Sequence, residues 1–161
     1  MYNISILQRG TMQFNILIAD DEISDLDSIS SNIQHQIPNI TIQKSLDTKD
    51  ILNNIKNIDL LIISTRLNKE ESFKFVQSLE DFVFNTIFLT NDANSDQEAD
   101  KASEIGIFDF VSKPININKF KHKILHYMSI RKRELELLRE KKISYSIMNT
   151  TNKPIFLTES K

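Results

Sequence analysis

The stretch Phe14-Asn15-Ile16-Leu17-Ile18-Ala19-Asp20-Asp21-Glu22 is a short apolar run that stops abruptly at three acids. A run this short, with β-branched residues in it, reads as a strand buried on both faces. Directly after it, Ile23, Leu26, Ile29, Ile33 and Ile37 recur at spacings of three and four, the stripe of an amphipathic helix, which Pro38 ends. A buried strand followed at once by a one-sided helix is the repeating unit of a parallel sheet with helices over its faces.

The alternation continues outward. Ile40 to Leu46 reads as a second strand, and Thr48 to Asn57 as a helix buried through Ile51, Leu52 and Ile55. Asp59 to Ile63 is a third strand, followed by a helix marked by Phe73, Val76, Leu79 and Phe82 or Val83. Thr86 to Leu89 is a fourth strand. A polar, acidic helix from Ser95 to Glu104 ends at Gly106, a left-handed cap. Ile107 to Val111 is the fifth strand, and a long helix begins at Asn116 or Ile117. Strand–helix alternation of this kind specifies an α/β, doubly wound parallel sheet with helices on both faces.

Composition removes several function classes. The 161 residues suffice for one ordinary domain with sequence left over, and 40% hydrophobic with 26% charged residues is a globular balance. Cysteine is absent, so disulfides, thiol catalysis and thiolate metal sites are excluded. The only glycines are Gly10 and Gly106, so no glycine-rich phosphate loop exists. Flavin binding, which uses a similar sheet, is disfavoured because no hydroxyl- and glycine-rich loop follows the first strand. A net charge of −2 offers no footprint for nucleic acid. No apolar run approaches the roughly 18 residues of a membrane span, and no signal peptide pattern opens the chain. A soluble, cytoplasmic protein is the expectation.

In an open parallel sheet, function collects at the carboxyl ends of the strands. Those ends present Asp20 and Asp21, then Ser64, then Thr90, then Lys113 followed by Pro114. Adjacent carboxylates past a buried strand call for a cation, Mg²⁺ or an ammonium, unless they form a solvated turn at a helix start. Spacing alone leaves both readings open.

The combination is more specific than its parts. Ile16 to Glu22, Asp59 to Ile63, Ile87 to Thr90 and Ala102 to Pro114 together resemble the receiver domain of bacterial two-component response regulators, the family of the chemotaxis regulator. The resemblance implies a flavodoxin-like sheet of order 2-1-3-4-5. It also implies that Asp20 and Asp21 match the Mg²⁺-binding acidic pair, Thr90 the hydroxyl and Lys113 the lysine that hold a phosphoryl group, and Phe110 the aromatic switch. The acceptor aspartate itself should stand at residue 64, where the chain has Ser64. Serine is a weak nucleophile without a base and a poor ligand for a hard cation. The following Thr65-Arg66-Leu67-Asn68-Lys69-Glu70-Glu71-Ser72 lacks the family's proline and glycines, and Asn91 is larger than the residue usual there.

The expectation is therefore a pseudo-receiver, not an enzyme, with no required cofactor and a weak Mg²⁺ site at Asp20 and Asp21 at most. The Lys113 ammonium is expected to neutralise the acidic pocket directly. The alternative is a phosphorylation-dependent regulator that uses Ser64 or another acceptor. Expected partners are proteins: an output domain, a histidine kinase, and a second copy of the chain, paired through the acidic Asp96, Glu98 and Asp100 and the basic Lys119, Lys121 and Lys123. His122 and His126 have the spacing of a metal pair but no third ligand, so they read as helix surface.

Around a receiver-like domain of residues 13–129 lie an N-terminal extension (1–12, with Met12 a second candidate start), a helical linker (130–145) and a tail (146–161). Ile124, Met128, Leu135 and Leu138, interrupted by Arg131, form the seam of a short coiled coil. The tail resembles the opening helix and first strand of a PAS sensory domain, as if the chain were cut from a longer signalling protein.

Overall fold

A computed structural model of the chain describes residues 13–91 and 95–159, with side chains as far as Lys142; the expected extension of residues 1–12 lies outside the described residues. In chain order the strands are β1 (Phe14–Ala19), β2 (Ile40–Ser45), β3 (Leu60–Ser64), β4 (Arg66–Leu67), β5 (Glu70–Glu71), β6 (Thr86–Asn91) and β7 (Asp109–Lys113). The helices are α1 (Ile23–Gln36), α2 (Thr48–Asn54), α3 (Phe73–Ser78), α4 (Ser95–Ile105) and α5 (Ile117–Glu159). Five strands form one parallel sheet in the order β2-β1-β3-β6-β7, the expected doubly wound arrangement, while β4 and β5 form a separate small hairpin.

The two-residue period of the strands sorts their side chains onto two cores. Ile16, Ile18, Leu60, Ile62, Ile87, Leu89 and Val111 meet Leu26, Ile29 and Ile33 of α1 and Phe120, Ile124 and Tyr127 of α5. Leu17, Ala19, Leu61, Ile63 and Phe88 meet Ile51 of α2, Phe73 and Val76 of α3 and Ala102 of α4. Strands buried on both faces have no polar alternation, which is why they appear in the sequence as plain apolar runs.

The expected elements differ from the observed ones in detail. Ile23 and Leu52 are exposed, at 60% and 54%, because each lies off the side of its helix that meets the sheet. The helix after β5 breaks into α3 and a 3₁₀ segment, Glu80–Asn85, with Glu80 at φ 49°. The last sheet strand is displaced by two residues: pairing with β6 begins at Ile87–Asp109, and Ile107 and Phe108 are half-buried residues leading into it. Gly106 does stand in the left-handed region, at φ 87°, and its N–H donates to Ala102 O.

Helix α5 starts on the Asn116 side chain, which accepts from Lys119 N at 3.0 Å. It then crosses the sheet, where the Tyr127 hydroxyl donates to the Asp59 carbonyl with the Asn85 carboxamide 2.9 Å away. The expected coiled-coil seam is partly consumed inside the chain, since Ile124 and Leu135 are 0% and 1% exposed. Leu137 and Leu138 remain exposed. The backbone stays helical through Glu159, where the tail was expected to turn into a strand.

Asp59 opens β3 and is buried, its Oδ2 accepting from Asn15 N at 2.8 Å. Burial raises its pKa above the ordinary 3.8, against the Asn15 N–H and the charge of Arg131, which pull it down. A carboxyl raised on folding favours the folded state most in acid, and that advantage is lost as pH rises through the raised value. The stability of the wild-type chain relative to Asp59→Asn should therefore decline from acid towards neutrality. Urea unfolding of both proteins across that range checks this, and a difference that grows with pH contradicts it.

Candidate functional site

Asp20 extends the side-chain parity of Ile16 and Ile18, and Lys113 extends that of Val111, so both point to the α1/α5 side of the sheet. There the Lys113 ammonium lies 2.7 Å from Asp20 Oδ2 and 3.1 Å from Asp25 Oδ2. Asp20 is 1% exposed and Asp25 38%. Burial alone would lower the Lys113 pKa, but the hydrogen bonds and charges of Asp20 and Asp25 outweigh it and hold the lysine above its ordinary 10.5. The other Asp20 oxygen accepts from Glu22 N at 3.1 Å. The hydrogen bond and charge of Asp25 in turn raise the pKa of the Glu22 carboxyl.

Asp21 goes elsewhere. It is exposed, and its Oδ2 accepts from Asn68 N at 2.8 Å, at the tip of the β4–β5 hairpin. The expected acidic pair is therefore divided, one carboxylate taken by Lys113 and the other by the loop after β3. Ser64 ends β3 and is 7% exposed, with its Oγ 3.5 Å from Arg66 N and its carbonyl accepting from the Ser72 hydroxyl at 2.8 Å. Thr90 is fully buried and stands in register with Ser112, 3.4 Å between hydroxyl oxygens. Phe110 is half-buried, in register with Phe88 and packed on the α3/α4 core.

This donor set does not fit a divalent cation. One carboxylate carries an ammonium, the other accepts from a backbone N–H, and the residue that ends β3 is a serine, not a carboxylate. Among the described residues no group of three metal-ligating side chains forms. Nor does a base reach Ser64 among the hydrogen bonds described: His35 is near the end of α1, and His122 and His126 lie on α5, His126 against the Phe108 ring at 5.7 Å.

Sequence reasoning placed Asp20, Ser64, Thr90 and Lys113 at one edge of the sheet but missed Asp25, Ser112 and the hairpin. Asp25 had a signal: it sits in the first turn of α1, the helix that leaves β1 beside the pocket. Of the charges expected on the dimer faces, Lys123 bonds Asp109 at 2.8 Å within the chain, and Glu98 is only 6% exposed.

None of the curated proteins compared matches this chain. Among solved structures, it is similar to the signal receiver domain of an HD domain-containing protein from Pseudomonas fluorescens Pf-5, with TM-score 0.65 and 19% identity over 75% of this chain and 98% of that one. A CheY-like receiver domain protein from Methanospirillum hungatei JF-1 gives TM-score 0.64 and 20% identity, over 76% of this chain and 98% of that one. A receiver domain protein from Clostridium thermocellum gives 0.64 and 19%, over 74% and 97%. At such identities these structures speak for the fold. Residues 16–125 match the response regulator receiver domain family itself, and with the parallel sheet and the edge-of-sheet residues in place, the chain belongs to that family.

Proposed function

We propose that this chain is a pseudo-receiver, a cytoplasmic signalling module that acts by protein–protein contact rather than catalysis and passes its state through α5 to an output domain. The observation that carries the reading is Lys113 held by Asp20 and Asp25, and it is supported by a serine at the position that the family resemblance gives to the acceptor. In the family the lysine acts on a phosphorylated carboxylate. Here the lysine is already engaged by two carboxylates, and among the described residues no base hydrogen-bonds the Ser64 hydroxyl. Magnesium would have to displace Lys113 from Asp20 and Asn68 from Asp21, so its affinity should be no tighter than millimolar, about −4 kcal/mol.

Exposure to acetyl phosphate and Mg²⁺, followed by intact mass, tests the reading. The mass should not change. A stable phosphoryl adduct, on Ser64 or elsewhere, overturns it in favour of a phosphorylation-dependent regulator.

The reading includes a histidine kinase as an upstream contact and a homodimer through α4, β7 and α5. Asp96 and Asp100 on α4 are exposed, and Lys119 and Lys121 on α5 offer the opposite sign. Because Lys123 is already engaged with Asp109, charge reversal at Lys119 and Lys121 is the cleaner probe. Reversal should weaken association, and so should salt, which screens exposed charges over about 8–10 Å at ordinary ionic strength. Sedimentation at low and high salt checks this, and a clean monomer at low salt refutes the dimer.

A further inference from the structure

Between β3 and α3 the chain folds into the β4–β5 hairpin, in which Arg66 faces Glu71 and Leu67 faces Glu70. Asn68 and Lys69, at φ 52° and 69°, make the tight turn whose twist matches paired strands. The hairpin is held at its base. Leu67 is buried in the α2/α3/α4 core, and Ser72 N and Oγ donate to Thr65 O and Ser64 O, each at 2.8 Å.

Its two far points reach in different directions. The tip returns to the acidic corner, where Asn68 N donates to Asp21 Oδ2 at 2.8 Å. The outer strand reaches helix α4, where Glu71 lies 3.2 Å from the Lys101 ammonium. That ammonium also stands 5.4 Å over the ring of Phe73, and Arg66 braces Glu71 from across the hairpin at 3.6 Å. A two-residue turn on two-residue strands has no slack, so displacement of the tip moves Glu71 as well.

We propose that the β4–β5 hairpin is a strap that couples the Asp21 carboxylate to helix α4: release of the Asn68–Asp21 hydrogen bond resets α4 through Glu71 and Lys101. The contacts at both ends are solvent-exposed, with Glu71 and Lys101 side chains 45% and 50% exposed. Such contacts hold weakly, which suits a linkage that must be broken and remade. The strap goes beyond the pseudo-receiver reading and does not depend on it, since Ser64 enters only as an anchor of the hairpin base and Lys113 takes no part.

Thermodynamic coupling runs in both directions, and the test uses that. In the full chain, Asp21→Ala should speed amide exchange at Asn68 by about two- to ten-fold, the scale of one lost hydrogen bond. It should also shift the Lys101 amide and Phe73 ring resonances, with Ile62 in β3 keeping its protection. Lys101→Gln should in return speed exchange at Asn68. Unchanged Asn68 exchange in Lys101→Gln, or unmoved Lys101 and Phe73 signals in a folded Asp21→Ala, overturns the proposal. Should Asp21→Ala cost Ile62 its protection, the Lys101→Gln arm alone decides by the same criterion.

Discussion

Lys113→Met is expected to destabilise the chain by about 3–5 kcal/mol, the cost of leaving a buried charge without its partner. Asp20 is 1% exposed and its Oδ2 lies 2.7 Å from the ammonium. Methionine retains the length and bulk of the side chain but abandons Asp20 beside the acids Asp25 and Glu22. Adding Asp20→Asn should recover most of the loss, because the stranded charge goes with it. Asp25→Asn alone should cost only about 0–1 kcal/mol, as its carboxylate is 38% exposed and water replaces the ammonium. Urea unfolding of the wild type and the three variants measures each term. A Lys113→Met loss below about 1 kcal/mol would mean the pocket hydrates Asp20 well enough to need no cation, and would remove the main support for a self-neutralised site. Because pairing raises the Lys113 pKa above 10.5, its contribution is complete below that value and is lost as pH rises through the higher folded-state value.

Phe88→Ala should cost about 3–5 kcal/mol as well, for a different reason: it empties a packed site rather than stranding a charge. Phe88 lies in β6, is fully buried, and its ring centroid is 5.0 Å from that of Phe73. The cavity would open under α3 and α4, beside Phe110 in the next strand. Phe110→Ala should cost clearly less, since that ring is half-buried and part of its lost contact is with water. Denaturant midpoints compare the two. Equal losses would show that Phe110 is as much a core residue as Phe88 and not a ring free to change position.

Much of the site was legible because β-strands alternate. Once Ile16 and Ile18 are known to face α1 and α5, Asp20 follows on the same side, and Lys113 does so by the same rule from Val111. The serine at residue 64 needs no structure to be recognised, only the register of β3. The α5 seam was misjudged for a related reason: Ile124, Met128 and Leu135 mark a helix that buries one stripe, and a stripe does not say whether its cover is the same chain or another. Glu98 and Lys123 looked like surface charge because charge is usually exposed, yet one is buried and the other is paired with Asp109.

The sequence by itself determined the doubly wound sheet and the residues at its carboxyl edge, Ser64 among them, since each depends on local periodicity and residue type. Only the tertiary structure decided that Lys113 takes Asp20 and Asp25 while Asp21 is capped by Asn68. Those partners stand 93, 88 and 47 residues apart in the chain. Which carboxylate an ammonium reaches is settled by a difference of one or two ångströms, because pairing strength and desolvation both change steeply over that distance. Period and composition carry no information at that scale; the packing of α1 and of the hairpin against the sheet edge supplies it.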